Sequence, residues 1–353
     1  MASPVPTPRL VLDPDAFFAN LDTMAARCAG AGLALRPHFK AHRCLRIARE
    51  QLARGAIGLT TATLGEVEVL ARGGVVDILL ANEIADAAKV TRLGDAAGAC
   101  RLTVAVAHPL HVELAAAATR AAGARLGVLV EVDVGLARAG LPPEEAVALA
   151  QRVAATPGLE LRGLMGYEGH VMLNPDAGAR RVAVETASVT LAAVRADLEA
   201  LGLPCPVVSG GGTGTSALWG PGLALTEVQA GSYVGLDTVY QDVLGPAGGF
   251  AQALFIETTV IAAPRGALRT LDAGLKSMST DHGMPRLEAG TEGEVLNVAD
   301  EHTLVRVADA AAPPAVGDRV RLVPSHIDPT INLHDVLWVG EEAWPVEARG
   351  ASN

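Results

Sequence analysis

RLGVLVEVDVGLARAGLPPEEAVALAQRVAATPGLELRGLMGYEG, residues 125–169, contains two apolar segments separated by one of helical period. The outer segments, RLGVLVEVDVG (125–135) and LRGLMGYEG (161–169), have the aliphatic and β-branched composition of buried strands. Between them, the apolar residues of PEEAVALAQRVAAT (143–156) recur every three or four positions, as in an amphipathic helix. A strand, a helix and a strand in this order predict a βαβ unit.

The same alternation extends over residues 30–240 and includes a second amphipathic segment at 180–201. Eight strand-and-helix repeats predict an α/β fold of the (β/α)8 TIM-barrel type, in which functional groups gather at the C-terminal ends of the strands. A doubly wound open sheet is the alternative on pattern alone. The eight candidate strands are residues 33–40, 56–63, 76–83, 101–108, 125–135, 161–169, 205–214 and 225–235.

After residue 250 the chain changes to short period-two segments such as EGEVLNVAD, TLVRVAD and DRVRLVPSHID, separated by Gly, Pro and Asp. This pattern predicts a C-terminal antiparallel β domain. The N-terminal TPRLVLD segment is expected to add a strand to it. We therefore divide the chain into an N-terminal segment (1–25), a barrel (26–248) and a β domain (249–353).

Composition limits the class of partner. The net charge of -11 and the isoelectric point near 5.3 argue against a nucleic-acid or anionic-membrane surface, which needs clustered Lys and Arg. No apolar run approaches the roughly 20 residues of a membrane span, and the N-terminus lacks a signal-peptide pattern. The four scattered cysteines indicate neither a disulfide framework nor a zinc knuckle. We expect a cytoplasmic protein that acts on a small molecule.

Lys40 ends the first candidate strand. A lysine at the start of a loop is commonly a solvated surface group. At the C-terminal rim of a barrel, burial and neighbouring cations instead favour its use as an amine nucleophile toward an aldehyde. Other chemically capable residues end later strands; they are Thr60, Thr61, Asn82, Arg138, Tyr167, His170, Ser232 and Tyr233.

Two small-residue loops follow the last two candidate strands. SGGGTGTS (209–216) and GSYVG (231–235) leave backbone N–H groups accessible to a phosphate, and barrels commonly bind phosphate after strands seven and eight. The alternative interpretation is a pair of ordinary tight turns.

PSHIDPT (324–330) places His326 and Asp328 two positions apart at the end of a candidate strand. Because alternate residues of a strand share a face, the imidazole and the carboxylate are able to bind one cation, although an exposed turn is the simpler interpretation. A nitrogen and oxygen pair suits Mn2+ or Mg2+ better than structural Zn2+. Weaker metal candidates are His334 with Asp335 and His302 with Glu301. His282 is a loop residue without an assigned role.

Seven segments in order resemble blocks of the D-threonine aldolase and D-serine dehydratase family, which is related to alanine racemase and has its barrel-type pyridoxal-phosphate fold. The segments are RPHFKAH (36–42), EVDVGLARAG (131–140), GYEGH (166–170), SGGGTGT (209–215), EVQAGSY (227–233), LDAGLKSMS (271–279) and VPSHIDPTINLHD (323–335).

The resemblance implies that Lys40 carries the cofactor covalently and that Arg138 lies near its phenolic oxygen. Gln229 takes the place of a racemase arginine that faces the pyridine nitrogen, which argues against racemase activity. Tyr167 and His170 are implied to orient the ring and to serve the substrate. The residues implied at the phosphate are Gly212, Thr213, Gly231 and Ser232, with Tyr233 beside them.

His326 and Asp328 match the family's metal pair, and the aspartate resembles the aldolase pattern, whereas cysteine with zinc resembles the animal-type dehydratases. The resemblance therefore implies a lyase that cleaves D-β-hydroxy-α-amino acids with pyridoxal phosphate and a divalent metal, Mn2+ before Mg2+. It also implies a homodimer. A D-serine dehydratase, an amino-acid racemase and a non-catalytic cofactor-binding protein remain as alternatives.

Overall fold

The computed structural model describes residues 5–308 and 313–353. The chain forms two compact units. One contains Met24–Lys40, Ile47–Gly231 and Ala351–Asn353, and the other contains the residues up to Thr23 together with Ala41–Arg46 and Ser232–Gly350. None of the helices in the described ranges has the length and apolar content that a membrane span requires.

The strands are β1 (Arg9–Leu12), β2 (Ala34–Leu35), β3 (Leu59–Thr61), β4 (Asp77–Leu80), β5 (Arg101–Val106), β6 (Leu126–Glu131), β7 (Leu159–Gly166), β8 (Val207–Gly210), β9 (Glu227–Val228), β10 (Leu254–Ala262), β11 (Leu268–Leu271), β12 (Arg286–Leu287), β13 (Gly293–Val298), β14 (Thr303–Val307), β15 (Arg319–Val323), β16 (Val336–Val339) and β17 (Glu342–Pro345). The α-helices are α1 (Pro14–Ala31), α2 (Leu45–Ala53), α3 (Leu64–Arg72), α4 (Val90–Ala99), α5 (Pro109–Ala122), α6 (Pro143–Ala154), α7 (Ala177–Ala200), α8 (Thr238–Leu244) and α9 (Ile327–Ile331).

The first unit is a barrel of eight parallel strands in the order β2-β9-β8-β7-β6-β5-β4-β3. A parallel bridge between His38 and Thr60 joins the β2 segment, residues 34–38, to β3 and closes the sheet. All eight candidate strands are present, so the predicted barrel is confirmed. Leu79, Ala105 and Leu129 pack together with Met165 in a buried apolar cluster from β4 to β7, which agrees with the strongly apolar runs in the sequence.

A buried ion network crosses the barrel near Arg36. The Arg36 guanidinium donates to Glu227 through Nε at 2.9 Å and to Asp77 through an Nη atom at 2.7 Å. All three side chains are less than 10% exposed. A Cβ added to Gly58 would lie 2.5 Å from the Arg36 Nη1 atom, so glycine there leaves the guanidinium its space. The network joins the segments that contain β2, β4 and β9.

The second unit is a nine-stranded sheet with the path β13-β14-β11-β10-β1-β16-β17, to which β15 and β12 are added through β10. Its pairs are antiparallel except for β1 with β16. The TPRLVLD segment forms β1, which pairs with β10 from Arg9 opposite Glu257 to Leu12 opposite Leu254. The predicted C-terminal antiparallel β domain is thus present, with this one parallel pair.

The division between the units differs from the expected boundary at residue 248. It falls after Gly231, because the residues that follow are bound to the β unit by its own hydrogen bonds. The Gly235 carbonyl accepts from the N–H groups of Ala253 and Leu254 at 2.9 and 3.1 Å. Helix α8 belongs to the same unit.

We predict that Arg36→Ala lowers the free energy of unfolding by about 3–5 kcal/mol, because it leaves the Asp77 and Glu227 carboxylates buried without their shared cation. Chemical denaturation measures this loss. Arg306→Ala, which removes the cation of the exposed pair with Glu294, is the control and costs no more than about 1 kcal/mol. Equal losses in the two variants would contradict a stabilising role for the network.

Candidate active site

Lys40 lies in the 3-10 turn Phe39–Ala41, directly after the β2 segment. The backbone before it is held by the barrel, since the His38 N–H donates to the Ala230 carbonyl at 3.2 Å. Phe39 is fully buried, whereas Lys40 is exposed. The chain contains only two other lysines. Lys89 immediately precedes α4, and Lys276 is paired with Glu301 at 2.6 Å.

The structure brings Arg138 and Tyr167 together at the ends of neighbouring strands. The Arg138 guanidinium carbon lies 5.7 Å from the centroid of the Tyr167 ring, within the range of a cation–π contact. On another side, a Cβ added to Gly212 would lie 3.4 Å from Tyr167 Cε2. The half-buried tyrosine ring therefore packs near the guanidinium and the glycine loop.

Asp133 holds the loop that carries Arg138. Its Oδ1 accepts from the N–H groups of Gly135 and Ala137 at 2.9 and 3.1 Å, and the Ala137 hydrogen bond is the main reason that the pKa of Asp133 is lowered. The exposed His170 packs on this loop, since a Cβ added to Gly135 would lie 3.1 Å from its Cε1 atom. His170 thus packs on the loop that leads to Arg138, the residue whose guanidinium contacts Tyr167.

The glycine loop after β8 is a tight structure that excludes larger residues. Gly211 has a φ of +70°, in the left-handed region that favours glycine. A Cβ on Gly214 would lie 2.0 Å from the Met172 carbonyl oxygen. The 3-10 helix Thr213–Leu218 begins in this loop, and N–H groups at the start of a helix favour anions.

Glu168 holds the glycine loop in place, a role that the sequence pattern did not predict. This buried carboxylate accepts from Thr215 Oγ1 at 2.8 Å and from the Gly211 N–H at 3.3 Å. Burial raises its pKa, although these hydrogen bonds act in the opposite direction. Its position in GYEGH, between Tyr167 and His170, was the available signal, but a carboxylate in a loop is normally solvated.

Gln229 follows β9 and is buried. Its Nε2 donates to Ser209 Oγ at 2.8 Å, and its N–H donates to the Gly210 carbonyl at 2.9 Å. Gly231 ends the barrel unit. Ser232 and Tyr233 begin the second unit in the buried 3-10 turn Ser232–Val234.

A second missed feature is a pair of carboxyl groups, Glu131 at the end of β6 and Glu83 after β4. Burial raises the pKa of Glu131, and the hydrogen bond and like charge of Glu83 raise it further, whereas Arg138 lowers it. The local sequence around each glutamate does not predict this pair, because one residue ends β6 and the other follows β4.

Several polar candidates have structural partners. Thr60 Oγ1 donates to the Arg36 carbonyl at 2.9 Å, and Thr61 Oγ1 donates to the Leu79 carbonyl at 3.3 Å. The Asn82 amide donates to the Ala62 carbonyl at 2.8 Å. His334 Nε2 lies 2.7 Å from the Ser277 carbonyl oxygen.

The expected strand geometry of PSHIDPT is wrong. β15 ends at Val323, and His326 is the extended N-cap of α9, so Asp328 lies in the first turn of a helix. Pro324 has no N–H with which to continue the ladder, and Pro329 is tolerated in a first helical turn. His326 therefore precedes the helix and Asp328 lies in its first turn, so the two are not alternate residues of one strand.

In the β unit, His326 lies in a cluster that includes two residues from another loop. Ligand atoms of Asp281, His282 and His326 all lie within 4.8 Å of one another. His326 Nδ1 is 2.7 Å from Asp281 Oδ2, and the two imidazole rings stack at 3.8 Å with an interplanar angle of 11°. This is the one such group of three potential ligands found in the described ranges.

Asp237 supports the helix start beside this cluster. Its Oδ1 accepts from the Tyr240 N–H at 2.9 Å and its Oδ2 from the Ile327 N–H at 3.1 Å. Burial raises the pKa of Asp237 to about 6. These hydrogen bonds and the charge of His326 act to lower the pKa, whereas the charge of Asp328 raises it.

Each unit contains side chains whose chemistry suits one of the expected groups, the cofactor or the metal ion. The barrel offers an amine, a buried amide, an arginine beside an aromatic ring and a glycine loop too tight for side chains, which fit pyridoxal phosphate. The cluster in the β unit offers imidazole nitrogen and carboxylate oxygen without a thiol, which fits a divalent ion such as Mn2+.

Comparison with known proteins identifies domains and full-length relatives. Residues 12–237 match the alanine racemase N-terminal domain, and residues 253–340 match the putative serine dehydratase domain. The chain is 39% identical to D-threonine aldolase of an Arthrobacter species, covering 99% of this chain and 94% of that protein. It is 34% identical to 3-hydroxy-D-aspartate aldolase of Paracoccus denitrificans, covering 99% and 93%.

A dehydratase is also among the relatives, since the chain is 31% identical to D-threo-3-hydroxyaspartate dehydratase of a Delftia species over 91% of this chain and 90% of that protein. The crystal structure of D-threonine aldolase from Filomicrobium marinum superposes with a TM-score of 0.94 at 35% identity, covering 98% of this chain and 96% of that one. The chain therefore belongs to the D-threonine aldolase and D-serine dehydratase family of alanine-racemase-like proteins, a family that implies pyridoxal phosphate as the cofactor.

Proposed function

We propose that this chain is an aldolase that cleaves D-β-hydroxy-α-amino acids, such as D-threonine or D-3-hydroxyaspartate, to glycine and an aldehyde or glyoxylate. The observation behind this proposal is the position of Lys40 in the turn directly after the β2 segment, in a chain with only two other lysines. Full-length relatives named as aldolases support the same reaction class.

In this proposal Lys40 binds the cofactor covalently, and Gly212, Thr213, Gly231 and Ser232 bind its phosphate, with Tyr233 beside them. Gln229 faces the pyridine nitrogen as a neutral amide, which offers no negative charge to hold a proton there. When bound, pyridoxal phosphate supplies a conjugated ring that accepts the electrons released as the Cα–Cβ bond breaks.

Three side chains in the loops after β6 and β7 have proposed roles toward the reacting molecules. Arg138 places a positive charge near the cofactor's phenolic oxygen, and its contact with Tyr167 keeps both groups in place. Tyr167 orients the ring. His170, which is exposed and packs against the loop held by Asp133, is the protein group that accepts the proton of the substrate β-hydroxyl.

His326 and Asp328 are proposed to bind the divalent ion, Mn2+ in preference to Mg2+. A bound metal supplies Lewis-acid polarisation of a hydroxyl oxygen. Aspartate at 328 provides hard oxygen, whereas cysteine would favour zinc. This residue favours an aldolase over the runner-up, a D-serine dehydratase, which would form pyruvate and ammonia from D-serine.

Two further alternatives predict different results. A racemase would interconvert enantiomers, but the amide of Gln229 departs from the racemase pattern. A non-catalytic cofactor-binding protein of the barrel-only type would lack a β domain, and this chain has one. We also propose that the protein is a cytoplasmic homodimer that binds neither nucleic acid nor membranes.

Borohydride reduction of the cofactor-loaded enzyme, followed by peptide mass mapping, tests the role of Lys40. We expect the cofactor mass on the Lys40 peptide, and loss of both the label and the visible absorbance in Lys40→Ala. Lys89→Ala and Lys276→Ala are the matched controls, and both retain the label. A reducible cofactor still attached to folded Lys40→Ala would contradict the assignment.

Activity on D-threonine and D-serine tests the metal pair. We expect chelation, His326→Ala and Asp328→Ala each to lower D-threonine cleavage by more than about 100-fold, because Lewis-acid stabilisation contributes several kcal/mol and each 1.4 kcal/mol is about a factor of ten. The visible absorbance of the cofactor remains. Coupled assays detect acetaldehyde or pyruvate.

Full aldolase activity after chelation and in both variants would contradict the metal role. Pyruvate formation from D-serine by an enzyme that never cleaves D-threonine would favour the dehydratase. Glu294→Gln removes an exposed carboxylate elsewhere in the β unit and should leave both activities unchanged.

A further inference from the structure

Two hydrogen bonds bind the loop that contains Asp281 to the segment from Ser325 to Thr330, and a third lies within that segment. The Ser279 N–H donates to Thr330 Oγ1 at 3.1 Å, and Ser325 Oγ donates to the Ser279 carbonyl at 3.2 Å. Thr330 Oγ1 in turn donates to the His326 carbonyl at 2.7 Å. The backbone around Ser279 is therefore held in register with the backbone of His326.

Protein groups contact both oxygens of the Asp281 side chain. Ser279 Oγ donates to Oδ1 at 2.5 Å, and His326 Nδ1 lies 2.7 Å from Oδ2. A carboxylate only accepts hydrogen bonds, so Nδ1 of His326 must carry the proton in this contact. The carboxylate thus selects one tautomer of His326.

The selected tautomer presents the other ring nitrogen as a metal ligand. A neutral imidazole protonated at Nδ1 has its free lone pair on Nε2. Metal-binding histidines commonly donate their second N–H to a carboxylate, which fixes the ring and makes the ligand nitrogen more basic. The contact between His326 and Asp281 has this form.

His282 restricts the same ring from its face. It stacks on His326 at 3.8 Å with an angle of 11°, and its Nε2 lies 3.8 Å from Asp281 Oδ2, too far for a hydrogen bond. The stacking opposes tilting of the His326 ring, while the Asp281 contact opposes rotation within the ring plane.

We propose that Asp281 is the positioning residue of the metal centre, holding His326 so that Nε2 binds the divalent ion, while His282 stacks on the ring without binding the ion. This inference depends on the proposed metal site at His326. It assigns the group of Asp281, His282 and His326 one ligand and two supporting residues, whereas direct coordination by all three is the competing arrangement.

Mn2+ binding to the full-length, cofactor-loaded and metal-depleted enzyme tests the inference without an activity assay. Electron paramagnetic resonance of free Mn2+ gives the affinity, and water-proton relaxation gives the number of waters on the bound ion. We expect Asp281→Ala to weaken binding by about 10–100-fold with an unchanged water number. Asp281→Asn weakens it less, because the amide oxygen still accepts from Nδ1.

His282→Phe retains a flat ring without a ligand nitrogen, so its Mn2+ affinity should stay within about threefold of wild type if stacking is its role. Glu294→Gln is the control for loss of one carboxylate charge in the same unit. Thermal unfolding of the metal-free variants identifies any that fail to fold. If Asp281→Ala is one of them, Asp281→Asn and His282→Phe still provide the test.

The possible failures are distinguishable. If His326→Ala binds Mn2+ as wild type does, the proposed metal site itself is wrong. If His326→Ala loses the ion while the Asp281 variants bind normally, only the positioning role is overturned. An additional bound water in Asp281→Ala, or loss of binding in His282→Phe, would make that residue a direct ligand and would also overturn the inference.

Discussion

The buried ion network of Arg36 is the constraint on which the barrel site depends. Arg36 is fixed between Glu227 at the start of β9 and Asp77 at the start of β4. Because these charges are buried, a shift in register would separate them at a cost of several kcal/mol. The β2 segment therefore has one alignment with β9, and that alignment sets the positions of Lys40 and Gln229 farther along the two segments.

Carboxylates then organise the loops by accepting hydrogen bonds. Asp133 fixes the loop that leads to Arg138, and Glu168 fixes the glycine loop. In the β unit, Asp237 holds the start of α9 and Asp281 holds the His326 ring. The contacts of Glu168 and Asp237 are buried, where a donor without an acceptor would cost free energy. Acidic residues near the proposed functional groups therefore position other residues.

In PSHIDPT, the local geometry predicted for His326 and Asp328 is wrong. Period-two alternation favoured a strand through residue 328, but the ladder stops before Pro324 and α9 begins after His326. Local pattern does not reveal which N–H groups find partners. Asp237, far away in sequence, accepts from Ile327 and stabilises the start of the helix, so the helix depends on a contact that periodicity cannot contain.

The sequence by itself determined the eight barrel strands, the β domain and the family, because buried strands require continuous apolar runs and the family blocks are local. It also identified Lys40, Arg138 and Tyr167 as residues to examine, since each lies at a predicted strand end. Only the tertiary structure decided that Asp281 and His282 meet His326, that Glu83 meets Glu131, and that Glu168 is buried against the glycine loop. These are contacts between separate segments, and their energies depend on distance and burial, which residue order does not specify.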